Sequence, residues 1–191
     1  MSQRPVVIDA SVVMEIVLLH PRAETASRAI QGWARTRRDR VVPSHFWYEL
    51  VNGLARGHGF SGKQLMDAIY QTERFGLRTV NPDRGTLMLV VDRVERLGLS
   101  SYDALYLATA ESLRADLATF DRRLAAAAGA RAISFDDVHR LHEPPAVSEH
   151  DVTWPRYKEA SAYLAKLRSD TLAARAAYER PSPSAVPGPR R

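Results

Sequence analysis

Short apolar runs alternate along the chain with longer segments in which apolar residues recur every three or four positions. Residues 4–8 end in Val6-Val7-Ile8, an unbroken apolar run suited to a strand buried on both faces. It stops at Asp9-Ala10-Ser11, and an apolar, helix-like segment follows. Residues 21–38 predict a helix, because Pro suits a first turn and Ala23, Ala26, Ile30 and Trp33 share helical spacing. Residues 40–42 predict a second short strand. Over residues 43–57, Phe46, Trp47, Leu50, Val51 and Leu54 trace one helical face, and over 61–75 Leu65, Ala68, Ile69 and Thr72 trace another. Residues 77–80 predict an edge strand. Residues 83–97 predict a helix with Leu87, Val90, Val91 and Val94 as its core stripe. Residues 99–124 then predict a helix, a strand over 116–119 and the start of a further helix, and residues 131–134 a last strand. Strands alternating with helices define an α/β chain whose sheet is mainly parallel.

The pattern breaks after Glu143. Residues 1–142 form the predicted domain. Residues 143–180 predict a linker opened by Pro144-Pro145 and a helical extension with Tyr163, Leu164, Leu167, Leu172 and Ala176 as its stripe. Residues 181–191, PSPSAVPGPRR, predict a disordered tail. The charge divides at about the same place. Residues 1–149 carry 19 Lys and Arg against 18 Asp and Glu, and residues 150–191 carry 8 against 4, so the basic excess belongs mostly to the tail. Cysteine is absent, which removes disulfides, thiolate metal sites and thiol nucleophiles. No apolar run reaches the roughly 18–20 residues of a membrane span, and no leader-like segment opens the chain. A cytoplasmic protein with no membrane association is the expectation.

The acids carry the candidate chemistry. Asp9 and Asp121 each follow a predicted strand, and Asp103 lies in the first turn of a predicted helix, three residues after Ser100. Each has an ordinary role as a helix cap. Glu49 differs, because its helix is otherwise largely apolar there. In parallel α/β sheets ligands bind beyond the carboxyl ends of the strands. Acids gathered at that edge repel one another unless a cation sits between them, and an all-oxygen set favours Mg²⁺ or Mn²⁺. Such a metal activates water for phosphodiester hydrolysis and requires no nucleophilic side chain. An aspartyl phosphotransferase fits less well, because Asp9 has no second acid two residues on. His139 and His142 lack a third partner for zinc, and His45 stands one helical turn before Glu49. Arg35, Arg37, Arg38 and Arg40 form a basic cluster able either to track RNA phosphates or to serve as a solvated helix end.

The segments Val7-Ile8-Asp9-Ala10-Ser11, Glu49-Leu50-Val51-Asn52, Ser101-Tyr102-Asp103-Ala104-Leu105-Tyr106 and Ala118-Thr119-Phe120-Asp121-Arg122 together resemble a PIN domain, more narrowly the VapC-type ribonuclease toxins. The resemblance runs from about Arg4 to Leu141 and implies a three-layer α/β/α fold. It implies an Mg²⁺- or Mn²⁺-dependent endoribonuclease with Asp9, Glu49, Asp103 and Asp121 as metal-binding and catalytic acids. Ser11 and Thr119 match its polar positions beside the acids, and Asn52 is at best an orienting group. It also implies a homodimer and a small antitoxin partner. The extension after Glu143 matches no part of it. The alternative is a non-catalytic RNA-binding or regulatory module that keeps the fold.

Overall fold

The computed structural model describes residues 3–135. The predicted linker, helical extension and tail, the boundary at residue 142, and His139 and His142 lie outside the described residues. Four strands, β1 (Val6–Ile8), β2 (Arg40–Pro43), β3 (Arg78–Val80) and β4 (Asp116–Ala118), form one parallel sheet in the order β3-β2-β1-β4. Seven α-helices connect and follow them: α1 (Ala10–Val17), α2 (Ala23–Arg35), α3 (Phe46–Asn52), α4 (Gly62–Glu73), α5 (Arg84–Leu97), α6 (Ser101–Ser112) and α7 (Arg122–Ala128). Val7 lies opposite Val41 on one side and Leu117 on the other, so β1 is central. Val6, Val7 and Ile8 are wholly buried, as their unbroken apolar run requires.

Connection handedness sorts the helices into two layers. From β1 through β2 to β3 the chain steps one way across the sheet, then returns past β1 to β4. Right-handed crossovers put α1 to α4 on one face and the helices of the return on the other. The packing agrees: α6 lies against β1, β2 and β4, with α5 and α7 beside it, while α1 packs on α2 and α3. The result is a three-layer α/β/α arrangement. Phe46, Leu50 and Leu54 are buried on one face that runs from α3 into a π-helical turn at Gly53–Gly57, where one continuous helix was expected.

Local chemistry fixes where the helices begin. Ser61 and Gln64 form a reciprocal capping box on α4, and Asp83 accepts from Thr86 N at the start of α5. Helix α5 ends at Gly98, whose φ is +60°. A Cβ there would stand 3.3 Å from Nη2 of Arg123, the group that donates to the Gly98 carbonyl. Gly98→Ala is expected to destabilise the domain by about 1–2 kcal/mol, the cost of a side chain in the left-handed region. Denaturant midpoints check it.

Two sequence expectations are corrected. Leu87, Val91 and Val94 of α5 are 48%, 60% and 38% exposed, as is Met88 at 62%, whereas Thr86 is buried. Periodicity shows which residues share a face. It does not show whether anything within the described residues covers that face. The expected strand over residues 131–134 is instead a 3-10 turn at Gly129–Arg131 followed by a single bridge from Ala132 to Leu117. Only Ile133 N adds a ladder bond, to the Leu117 carbonyl.

The arginines before β2 divide between two roles. Arg38 donates to the carbonyls of Arg4 and Pro5 and pairs with Asp116, fastening β1 to β4. Arg40 reaches the carbonyls of Arg38 and Gly76. Both stand at the amino ends of the strands, the edge opposite the acids. Among the described residues no helix is long and apolar enough to cross a membrane.

Candidate active site

The site lies where the chain leaves neighbouring strands toward opposite faces, β1 into α1 and β4 into α7. That is the switch point of a parallel sheet, where a crevice opens. The Asp9 backbone N–H donates to the Ala118 carbonyl, which joins the two departing segments. Asp9 opens α1, yet its side chain makes no cap hydrogen bond. It turns inward, only 4% exposed, and its Oδ2 accepts from Ser11 Oγ at 2.5 Å and Thr119 Oγ1 at 2.6 Å.

Each hydroxyl does double duty. Ser11 Oγ accepts from Phe120 N at 3.0 Å, and Thr119 Oγ1 accepts from Asp121 N at 2.9 Å. A carboxylate needs donors and backbone N–H groups need acceptors, so the two hydroxyls relay between them. The loop after β4 is thereby tied to Asp9. Arg22, itself held 2.5 Å from the buried carboxylate of Glu15, lies 4.0 Å over the Phe120 ring, and Phe120 stacks on Phe135.

Glu49 reaches the site from α3 on one layer. Tyr106 reaches it from α6 on the other. The buried Tyr106 hydroxyl donates to Glu49 Oε2 at 2.9 Å and accepts from Ala10 N at 3.3 Å, so it spans α1, α3 and α6. Asp103 is half-buried in the first turn of α6, where Ser100 Oγ donates to it and accepts from its backbone N–H. His45 precedes α3, packs 4.5 Å from the Tyr106 ring, and lies 3.8 Å from Glu49 Oε2. Neither ring nitrogen of His45 has a hydrogen-bond partner among the described residues.

Electrostatics couple three of the acids. Burial pushes the Asp9 carboxyl up, the hydroxyls of Ser11 and Thr119 hold it down, and the charge of Asp103 raises it again. Glu49 is pushed up to about 7, by burial first, then by Asp9, against the Tyr106 hydrogen bond and with a further push from Asp103. Burial lowers His45 to about 4, so the ring is neutral at pH 7. Asp9, Glu49 and Asp103 therefore share one field. Asp121 is the fourth acid. It is exposed, caps α7 by accepting from Leu124 N at 2.7 Å, and joins the group through its backbone N–H on Thr119. Asn52 is exposed at the end of α3 and makes no hydrogen bond to the acids. As the side chains stand, no group of three or more His, Asp or Glu among the described residues is placed to hold a metal ion.

In the metal-free protein Glu49 is expected to titrate near pH 7, read by carboxyl carbon NMR. A carboxyl whose folded value is raised penalises folding once it ionises, so its stability contribution is lost as pH rises from about 4.5 toward 7. Glu49→Gln should flatten that part of the stability profile.

The spacing in sequence that sets His45 one helical turn before Glu49 holds in the structure, whereas the role of Tyr106 is not visible in sequence. A tyrosine inside SYDALYLA has the spacing of an ordinary core residue, and only its hydroxyl, meeting two groups distant in sequence, gives it a role in the site.

The parallel sheet and its helical layers are those of a PIN domain. The PIN domain family model matches residues 6–130, and the chain belongs to that family. No match is found among curated proteins. Among solved structures, the chain is similar to a toxin–antitoxin complex from Klebsiella pneumoniae, at 18% identity and a TM-score of 0.52 over 68% of this chain and 97% of that one. It is similar to VapC20 of Mycobacterium tuberculosis, a sarcin–ricin loop cleaving toxin, at 19% and 0.53 over 64% and 94%. PAE2754 from Pyrobaculum aerophilum follows at 21% and 0.51 over 72% and 89%. At these identities the likeness is one of fold.

Proposed function

We propose that the chain is an Mg²⁺- or Mn²⁺-dependent endoribonuclease, the toxin of a toxin–antitoxin pair acting in the cytoplasm. The observation that carries this reading is the coupling of Asp9, Glu49 and Asp103, brought from three elements to the switch point of a PIN sheet. The charge of Asp103 weighs on Asp9 and on Glu49, and that of Asp9 weighs on Glu49, a crowding that a bound cation would relieve. The donor set fits: it is all oxygen, as hard cations prefer. Mg²⁺ keeps several waters and takes only one or two direct carboxylates, so an open cluster suits it better than a closed cage.

Asp9, Glu49 and Asp103 would hold the ion, and Asp121, whose carboxylate caps α7, is the fourth acid proposed for it. When bound, it would supply an activated water and neutralise charge on the phosphodiester. The chain's own residues prepare the place. Ser11 and Thr119 fix the Asp9 carboxylate by both donating to its Oδ2. Tyr106 steadies Glu49, and its donated hydrogen bond favours the ionised carboxylate that a cation requires. The neutral His45 fills the wall behind Glu49 without competing as a charge. The toxin–antitoxin neighbours support an antitoxin partner, and the exposed apolar stripe of α5 supports pairing with a second copy.

The test is cleavage of single-stranded RNA by the purified chain with Mg²⁺, with Mn²⁺ and with chelator. Fragments in either metal and none in chelator support the proposal. Tight RNA binding with no cleavage and no calorimetric metal binding at millimolar concentration would replace it with a non-catalytic RNA-binding module. Metal affinity should climb with pH up to about 7, by as much as about tenfold per unit, then level off, since Glu49 must lose its proton to bind. Calorimetric titrations across that range check this.

A further inference from the structure

The far edge of the sheet carries the opposite charge. At the amino ends of β1 and β4 a cavity of about 540 Å³ is lined by Gln3, Arg4, Pro5, Leu113, Arg114 and Arg131. Asp116, at the start of β4, is already committed. Arg38 pairs with it, and Arg4, 71% exposed, stands 3.9 Å away. The Arg131 side chain makes one long hydrogen bond, 3.4 Å to the Ala115 carbonyl, and the Arg114 guanidinium has no hydrogen-bond or ion-pair partner among the described residues. Arg114 is also exposed, in a turn with φ +50°. Three guanidinium groups thus border one concavity, and among the described residues Asp116 is the carboxylate that pairs with one of them.

We infer that this cleft binds phosphates of the RNA backbone, at a distance from the acids. Guanidinium forks match phosphate oxygens in pairs. No aromatic residue lines the cleft, so it offers no platform for a base and reads the backbone without regard to sequence. It offers no apolar projection for a lipid surface either. The inference rests on RNA being the substrate. Arg4 and Asp9 are five residues apart on an extended segment, roughly 17 Å, and because β1 between them is wholly buried an RNA strand must take a longer path around the domain. A strand at the acids must cover that path to reach the arginines.

The test is the full chain carrying Arg4→Ala, Arg114→Ala and Arg131→Ala together, with thermal melting to confirm folding and a triple Lys variant as the charge-preserving control. On an RNA of about 30 nucleotides, KM should rise about tenfold or more with kcat unchanged, while a substrate of about four nucleotides should be cut as by the parent. Binding is read in an Asp9→Asn background to prevent cleavage. Three lost single-strand phosphate contacts lower the salt slope by about 2, so between 50 and 200 mM salt the parent should lose about 20-fold more affinity than the variant. The Lys variant should restore most of the binding. An unchanged KM and salt slope on the long RNA overturns the inference, whatever the variant does to anionic vesicles. If the parent cuts no RNA, the functional proposal fails, whereas a salt-dependent loss of RNA binding in the variant still upholds the cleft.

Discussion

Asp9→Asn is expected to reduce RNA cleavage by about 100-fold or more, the scale on which removing one charged group from a preorganised site acts. Its effect on the fold should have the opposite sign. The Asp9 carboxyl is buried and raised, so at neutral pH its ionised form weighs against folding in the absence of a cation. Asparagine keeps an oxygen for the hydroxyls of Ser11 and Thr119 without the charge. Metal-free Asp9→Asn should therefore melt at or above the parent temperature at pH 7. The difference should shrink as the pH falls to the ordinary carboxyl value of 3.8 and below, where the parent's carboxyl becomes protonated in the unfolded chain as well. Side-by-side melts and RNA cleavage assays read both effects. A variant that cuts like the parent would falsify the proposed role of the acids.

Tyr106→Ala is expected to cost about 3–5 kcal/mol of stability, measured by denaturant unfolding. Tyr106 is the largest of the fully buried side chains, at the meeting of α1, α3 and α6. Truncation leaves a cavity and strands the Ala10 N–H. Tyr106→Phe separates packing from polarity. It should cost only about 1–2 kcal/mol, because the ring remains and one hydroxyl is lost. Its larger effect should be on metal binding. Without the donated hydrogen bond the Glu49 carboxyl rises further, and affinity near pH 7 should drop while kcat at saturating metal changes little. Equal losses for the two variants would mean that the hydroxyl, rather than the ring, holds the layers together.

Strand and helix starts were legible because they depend on neighbours in sequence. Ser61, Asp83, Ser100 and Asp121 all cap the helices they precede. Asp9 shows the limit of that reasoning. It stands at a helix entrance with a capping residue type, yet its side chain serves Ser11 and Thr119 instead, and Thr119 is 110 positions away. The α5 stripe shows another limit: Leu87, Val91 and Val94 form the face that periodicity predicts, and it is left open. The arginine cluster before β2 divided for the same kind of reason. Arg38 found Asp116 across the sheet, a partner no local pattern reveals.

The hydroxyl relay on Asp9 also sets when the site comes into being. It joins the first strand of the chain to the fourth, and neither hydroxyl can bridge until residues 119–121 are seated beside β1. A chain emerging from the ribosome would already carry Asp9, Glu49 and Asp103 well before β4 is made. It would lack the loop that holds Asp9 in place. Long-range closures of this kind come late in folding, after the loop entropy of the intervening chain has been overcome. Prematurely released fragments ending before β4 are thus inert, and the proposed nuclease becomes active only when synthesis of its domain is nearly complete.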